Sequence, residues 1–220
     1  MPSSIKMYKD LFYFDIETTS EYPNFMDMNA EGRNIFTKRL TDPSANIENF
    51  YIENAPLLPE FGKIICMSFG VYDTEGVIQI RSVIDDDEEK LIQKIKGVFD
   101  RVSKTNKRIC GFRIKSFDIP WIVRKMYKYN IDIPLSLNFN GLKPWEILVT
   151  DIYDIWKNGS NLGASLEEVT YALGIENPKS TLDGKKIYDY YWNRKDKESI
   201  MKYCEGDVKG VMDVAKKLKL

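Results

Sequence analysis

Histidine is absent from the 220-residue chain. This absence excludes Ser-His-Asp and Cys-His catalysis, zinc sites built on histidine, and a histidine general base. Any chemistry that the protein performs must therefore use carboxylates, lysines, tyrosines, hydroxyl groups and bound metal ions.

Cysteine is scarce as well, and the three cysteines, Cys66, Cys110 and Cys204, are far apart. No Cys-x-x-Cys pair is present, which argues against a zinc ribbon or a redox motif. Each cysteine lies inside an apolar segment, so we expect three buried, reduced thiols.

Long apolar runs are also missing. No stretch reaches 18 apolar residues, so no membrane span is expected. The segment Met1–Lys6 lacks the apolar region of a secretory signal, which favours a cytoplasmic protein. The net charge of −1 does not indicate tight, sequence-independent binding of duplex DNA, since proteins that bind DNA in this way are usually basic.

The length suits one domain with a sizeable core and is short for two. Residues 20–60 are predicted to be an irregular excursion from the core, with one short helix at about 33–40. The acidic run at 85–89 is predicted to be the solvated first turn of a helix that ends near Val102. Hydrophobic patterns predict strands at 11–14, 63–72, 77–83, 108–111 and 147–151, and further helices at 117–129, from Ser165, and at 196–218. This order predicts a single α/β domain with a mixed sheet flanked by helices.

Asp15 and Glu17 stand two residues apart at the predicted end of the first strand. The period of a strand places both side chains on one face. Two carboxylates beside a buried strand are costly unless they hold a cation. A solvated strand end is the alternative interpretation of this pair.

Two further acids occupy helical segments. Tyr203 and Asp207 are one helical turn apart on an inward face of the last helix. A buried Tyr–Asp hydrogen bond would also explain that pair. Asp118 begins the helix that follows strand 108–111, where the helix dipole alone favours an acid.

The four acids together predict a metal site. Asp15, Glu17, Asp118 and Asp207 could not all stay ionised in one pocket without cations. Oxygen ligands suit Mg²⁺ or Mn²⁺, the ions of phosphodiester cleavage.

The three acid-bearing segments resemble motifs I, II and III of the DEDD 3′–5′ exonucleases, which have an RNase H-like core. The tyrosine one turn before the last aspartate is similar to the DEDDy subclass. Residues 59–64, 117–120, 143–146 and 173–175 resemble the stand-alone exonucleases related to the proofreading domain of family B DNA polymerases, many of them bacterial or phage-encoded. The resemblance covers about residues 10–215 and implies an RNase H-like sheet of about five strands.

One position departs from the family pattern. Where the family usually has Gly-His-Asn, this chain has Gly111-Phe112-Arg113. The missing asparagine usually helps to position the substrate end. Arg113 either replaces it as a phosphate contact or points to solvent.

The resemblance implies two-metal hydrolysis of the terminal phosphodiester, with metals roughly 3.5–4 Å apart. Asp15 would bridge both ions, Glu17 and Asp207 would complete the deeper site, and Asp118 would act on the second ion. Tyr203 would orient the attacking water, and the product would be a nucleoside 5′-monophosphate.

The implied substrate is single-stranded DNA or a frayed primer 3′ end. Candidate substrate contacts are Phe14 and Phe117, by base stacking, Ile16 between the two acids, and Arg113 and Lys115, by phosphate binding. Core packing is an equal alternative for the aromatic residues and for Trp121. Asp151 is predicted to be structural, and Glu205 to be exposed.

Two other functions remain open at this point. An RNA exonuclease would use the same catalytic residues, because the sugar preference depends on contacts to the 2′ position. A non-catalytic binding or scaffolding module could keep the fold. A DNA polymerase or another replication protein, acting in trans, is the expected protein partner.

Overall fold

The structure, a computed structural model, describes residues 7–42, 44–143, 145–176, 182 and 184–220. Within these residues, five strands form one sheet: β1 (Leu11–Ser20), β2 (Gly62–Tyr72), β3 (Ile78–Ile84), β4 (Arg108–Gly111) and β5 (Val149–Asp151). Seven α-helices accompany them: α1 (Ala30–Thr37), α2 (Ile47–Asn54), α3 (Glu88–Val102), α4 (Asp118–Lys128), α5 (Ile152–Lys157), α6 (Leu166–Ala172) and α7 (Lys197–Leu218).

The sheet is mixed, with the strand order β3-β2-β1-β4-β5. β2 is antiparallel to both of its neighbours, β1 and β3, whereas β4 is parallel to β1 and to β5. The β2–β3 hairpin turns at Asp73–Gly76, where Gly76 has a φ of +84° that other residues rarely adopt. The α/β class, the five-stranded mixed sheet and the flanking helices are confirmed.

The sheet has helices on both faces. Phe12, Phe14 and Ile16 of β1 join a core with α3 and α4 on one face. Leu11 and Tyr13 join a second core with α7 on the other face. Because side chains of a strand alternate between the faces, one strand supplies both cores. Among the described residues, no helix is both long enough and apolar enough to cross a membrane.

β1 is longer than its apolar run predicts. The prediction ended the strand at Phe14, but ladder pairing with β2 continues to Ser20, opposite Gly62. Backbone hydrogen bonds to β2 hold this polar half of the strand in place. The acid motif therefore lies in the middle of the central strand, and the prediction that it closes the strand is wrong.

The excursion at 20–60 is more regular than predicted. It contains α1 and α2, which asparagines cap: Asn29 accepts from Gly32 N–H, and Asn46 accepts from Glu48 and Asn49 N–H. Each helix has only eight residues, too few for a clear periodic signal beside the prolines and asparagines of this segment. A small aromatic core, which includes Phe25, Phe36, Tyr51 and Phe61, stabilises it.

Candidate active site

The acids of β1 face α7. Asp15 lies opposite Ser68 of β2 and Glu17 opposite Cys66, with an irregularity in the ladder directly after Glu17. Since Phe14 and Ile16 point into the core on the α3/α4 side, Asp15 and Glu17 point to the other side. The prediction that both carboxylates share one face is confirmed.

Helix α7 brings Tyr203 and Asp207 to the same place. Its buried face, which includes Ile200, Cys204 and Val208, packs on the sheet and sets the rotation of the helix. The Tyr203 side chain lies next to the Asp207 carboxylate. The two side chains lie on the inward part of the helix, as their i, i+4 spacing predicts.

Asp118 reaches the site from the other face of the sheet. It is the first residue of α4, and its Oδ1 accepts a hydrogen bond from the Ile16 N–H at 3.0 Å. This bond joins residues that are 102 positions apart in the chain. It ties the beginning of α4 to the strand segment between the two acids.

All five predicted catalytic side chains line one open cleft with a volume of about 310 Å³. The other lining residues are Ile16, Phe112, Arg113, Ser116 and Phe117. The carboxylates come from three distant segments of the chain, and the fold brings them together.

The carboxylates of the cleft hold their protons more strongly than exposed acids do. Burial raises the pKa of Asp118 to about 7 and that of Asp207 to about 6. Burial, and then the charges of the neighbouring acids, raise the pKa values of Asp15 and Glu17 well above their ordinary values. The cluster is therefore unfavourable in its fully ionised form unless positive charge is added.

The described part of the chain does not supply that charge. Within the described residues, none of the four carboxylates forms an ion pair with a lysine or an arginine. Glu17 is only 8% exposed, and no hydrogen bond to its carboxylate is found in the same part of the chain. An unpartnered, buried carboxylate among three other acids fits divalent metal ions bound by oxygen ligands.

Two aromatic candidates for base stacking lie in the core instead. The Phe14 side chain is completely buried, and its ring packs edge-on against Phe99 at 5.2 Å between centroids. Trp121 is 2% exposed and belongs to the same core. Neither ring is exposed in this structure, which favours core packing, the alternative interpretation, over base stacking for both. Ile16 contributes its backbone N–H, through Asp118, rather than an exposed side chain.

Phe117, Arg113 and Lys115 occupy three different environments. Phe117 is half-buried, lines the cleft and packs against Trp121. Arg113 is exposed at the cleft, and its guanidinium carbon lies over the Tyr153 ring, 4.2 Å from the centroid. Lys115 does not line the cleft; its Nζ forms an exposed ion pair with Asp154 at 3.1 Å.

Asp151 is structural, as predicted. Its carboxylate accepts hydrogen bonds from the backbone N–H groups of Arg113 at 2.8 Å, Lys115 at 3.0 Å and Tyr153 at 3.0 Å. Arg113 has a φ of +61°, a left-handed conformation that needs such support. Asp151 thus fixes the loop that leads into α4 and Asp118.

The structure also corrects the environment of two glutamates. Glu205 is half-buried and accepts a hydrogen bond from Ser82 Oγ at 2.6 Å, so the prediction that it is exposed is wrong. Glu88, predicted to be solvated, is buried and forms ion pairs with Lys125 and Lys128. The first turn of α3 faces α4 at this position, which the acidic pattern of 85–89 did not indicate.

Three residues beside the site were not singled out from the sequence. Phe112 and Ser116 line the cleft, and the Cys204 thiol lies against Asp15, with Sγ 3.6 Å from Oδ2. The helical spacing of Cys204, three residues before Asp207, carried the signal for the third of these. Phe112 and Ser116 lie on a loop, where no periodic pattern applies.

Comparison with known proteins identifies relatives of this chain and structures of similar fold. The chain is 28% identical to a DNA polymerase of Archaeoglobus fulgidus over 167 residues, which cover 69% of this chain and 21% of the polymerase. The structure is similar to the family B DNA polymerase of the hyperthermophilic archaeon Pyrobaculum calidifontis, with a TM-score of 0.57 and 14% identity. That match covers 94% of this chain and 24% of the polymerase.

Exonuclease I is a second structural neighbour, with a TM-score of 0.53 and 13% identity over 95% of this chain and 40% of that protein. A complex of ExoI with SSB-Ct matches with a TM-score of 0.52. This chain thus spans less than half the length of each of these proteins. The sequence profile of the RNase H superfamily matches residues 49–219, so the chain belongs to the RNase H superfamily.

Proposed function

We propose that the protein is a metal-dependent 3′–5′ exonuclease that releases nucleoside 5′-monophosphates from single-stranded or frayed 3′ ends of DNA. One observation carries the proposal: four carboxylates and a tyrosine from three distant segments line one open cleft. Similarity to DNA polymerases and to exonuclease I supports DNA as the substrate. Residues 1–220 would act as one exonuclease domain.

Asp15, Glu17, Asp118 and Asp207 would hold two divalent ions, Mg²⁺ or Mn²⁺. Bound ions of this kind lower the pKa of water and stabilise the charge that develops on the phosphate oxygens. To bind such ions, the four carboxylates must lose their protons and keep their positions. The bond from the Ile16 N–H to Asp118 and the contact of the Cys204 thiol with Asp15 orient two of these carboxylates.

Tyr203 would position the attacking water by a hydrogen bond. Burial, and then the negative charge of Asp207, raise the pKa of Tyr203 above its ordinary value. The phenol therefore keeps its proton at neutral pH and does not act as a base. The protonated hydroxyl can both donate and accept a hydrogen bond, so it can orient the attacking water beside Asp207.

Two side chains would contact the nucleic acid. Phe117 is half-buried at the cleft and can stack on a base without selecting its identity. Arg113 can reach a backbone phosphate from its position over Tyr153, in place of the asparagine that the family usually has. A DNA polymerase or another replication protein would work with this domain in trans.

The experiment uses single-stranded DNA, single-stranded RNA and a primer–template with a frayed 3′ end, all labelled at the 5′ end. The wild-type protein is incubated with Mg²⁺ or Mn²⁺ beside Asp15→Asn and Tyr203→Phe. Asp132→Asn, at an exposed carboxylate, and Tyr127→Phe, at a tyrosine with 65% exposure, are the matched controls.

We expect a ladder that shortens from the 3′ end by single nucleotides, disappears with Asp15→Asn and slows with Tyr203→Phe. Both controls should match the wild type. No shortening in either metal, or the same ladder with Asp15→Asn, would contradict the proposal. Faster degradation of RNA than of DNA would support an exonuclease whose substrate is RNA instead of DNA.

A further inference from the structure

A sulfur atom lies at the back of the acid cleft. Cys204 is completely buried on α7, and its Sγ is 3.6 Å from Asp15 Oδ2 and 3.4 Å from the Asp15 carbonyl oxygen. Hard ions such as Mg²⁺ bind oxygen and do not use thiols. With Mg²⁺, the thiol can serve only as a hydrogen-bond donor to Asp15.

Three donor atoms meet at this point. Asp15, Glu17 and Cys204 each offer one ligand atom, and these atoms all lie within 4.8 Å of one another. Glu17 is 8% exposed and has no partner in the described part of the chain, so its carboxylate is free to bind an ion there. This unpaired glutamate is independent of the contact between Cys204 and Asp15.

One pair of these donor atoms has the spacing of ligands in a small tetrahedral site. With metal–sulfur and metal–oxygen distances of about 2.3 and 2.0 Å, tetrahedral ligands place sulfur and oxygen about 3.5 Å apart. The Sγ–Oδ2 distance is 3.6 Å. A borderline or soft ion such as Zn²⁺ or Cd²⁺ favours a sulfur ligand among oxygens, whereas Mg²⁺ does not.

We propose that Asp15, Glu17 and the Cys204 thiolate form a binding site for thiophilic divalent ions, Zn²⁺ and Cd²⁺. The metal–sulfur bond replaces the S–H bond, and the proton passes to solvent. The inference rests on the proposed function to the extent that the same carboxylates serve Mg²⁺. In a nuclease of that kind, a thiophilic ion would inhibit, because it occupies Asp15 and Glu17 in a geometry that Mg²⁺ does not adopt.

The test is a titration of the metal-free protein with Cd²⁺, followed by the near-ultraviolet thiolate-to-cadmium absorption and by calorimetry. We expect one Cd²⁺ per chain with a sulfur absorption band. Cys204→Ser should abolish the band and weaken binding by about tenfold or more, since it removes the soft ligand. Glu17→Gln should also weaken binding.

Cys110→Ser is the matched control, because Cys110 is another completely buried thiol but belongs to a separate core cluster. It should keep both the band and the affinity. Cys66→Ser tests the neighbouring thiol of the same core cluster and should also keep the band. A band that survives Cys204→Ser, or that disappears with Cys66→Ser alone, would overturn the assignment.

Cadmium NMR of the wild-type protein gives an answer that needs no variant. A resonance in the range of sulfur-ligated cadmium supports the site, and one in the all-oxygen range overturns it. The nuclease assay separates this inference from the proposed function. A Mg²⁺-dependent ladder without sulfur ligation of cadmium would contradict only the thiophilic site. Sulfur ligation of cadmium without any ladder would contradict only the proposed exonuclease function.

Discussion

Two clusters in the described part of the molecule contain buried acidic side chains, and only one of them has lysine partners. In the cleft, Asp15, Glu17, Asp118 and Asp207 lie together without a cation from the described part of the chain. Between α3, α4 and the start of β2, Glu88 is 6% exposed and fully partnered. Its partners are Lys125 Nζ at 3.2 Å, Lys128 Nζ at 3.5 Å, the Ile64 N–H at 2.7 Å and the Tyr129 hydroxyl at 2.6 Å.

The presence or absence of partners distinguishes a structural buried acid from a candidate functional one. A buried carboxylate with lysine and hydrogen-bond partners is complete and stabilises the packing of α3 on α4. Four carboxylates without a lysine or arginine partner in the described part of the chain repel one another when ionised, and bound cations would relieve that repulsion. Burial of an acid is therefore a weak sign of a functional site, and burial without a partner is a stronger one.

The largest expected effect comes from the same substitution in both clusters. Glu17→Gln should lower the exonuclease rate by about a thousandfold, since a bound metal contributes several kcal/mol to the transition state and about 4 kcal/mol corresponds to that factor. Glu88→Gln should retain activity at low temperature but unfold more easily. Initial rates and urea unfolding of both variants measure the contrast. Equal activity of the two variants would contradict the distinction between a functional Glu17 and a structural Glu88.

The next effect is on stability. Lys125→Met leaves Glu88 with a weaker set of partners in the core, and breaking a buried ion pair in this way costs about 3–5 kcal/mol. Urea denaturation of the wild-type and variant proteins measures the change in the free energy of unfolding. Restoration of part of the loss in the double variant with Glu88→Gln would show that the pair acts as a unit. A loss below about 1 kcal/mol would mean that Lys128 alone suffices.

The pH dependence of stability should differ from that of most proteins. The raised pKa values of Asp118, about 7, and Asp207, about 6, mean that the folded, metal-free protein keeps protons that the unfolded chain loses near pH 4. The contribution of these groups is fully present below pH 4 and is lost as the pH rises to about 7. We expect a loss of several kcal/mol over this interval in a chelator.

Unfolding in urea at several pH values, with and without Asp118→Asn, measures this loss. The variant should flatten the profile, because asparagine does not titrate. Aspartates with lowered pKa values, such as Asp86, lose their contribution only as the pH falls below 4, outside this interval. Stability that rises from pH 4 to 7 in the metal-free protein would contradict the prediction.

The smallest expected effect is the response of thermal stability to metal. Mg²⁺ or Mn²⁺ at about one hundred times its dissociation constant should add about 3 kcal/mol to the folded state, or very roughly 5–10 °C in Tm. Glu17→Gln should lose this response, whereas Lys125→Met should keep it from a lower starting Tm. Differential scanning fluorimetry with and without metal measures both. An equal response in the two variants would mean that the ions bind elsewhere.

Much of the architecture follows from local pattern. β4 was predicted at its observed bounds, and the helix after it within one residue at each end, because an apolar strand and an amphipathic helix with proline in its first turn give clear signals. The acids of β1 and the Tyr203–Asp207 pair were predicted on shared faces from spacing alone. Periodicity is a local property, and these features are local.

The remaining features depend on which segments meet. The polar half of β1 is held by β2, and Glu88 is buried by α4; neither contact is visible in the segment concerned. Phe14 and Phe117 have similar sequence surroundings, yet one ring lies in the core and the other lines the cleft. The direction of a side chain near a strand or helix end depends on these tertiary contacts. The wrong predictions concern residues of this kind, because local sequence does not show the contacts.

The bond between Ile16 and Asp118, and the contact between Asp15 and Cys204, span 102 and 189 positions of the chain. During synthesis at about 5–20 residues per second, the first acids are made roughly 10–40 seconds before Asp207. Until α7 folds onto the sheet, the growing chain lacks Asp207 beside the first acids. The cluster of four carboxylates therefore forms late in synthesis, after all five described strands of the sheet have been made.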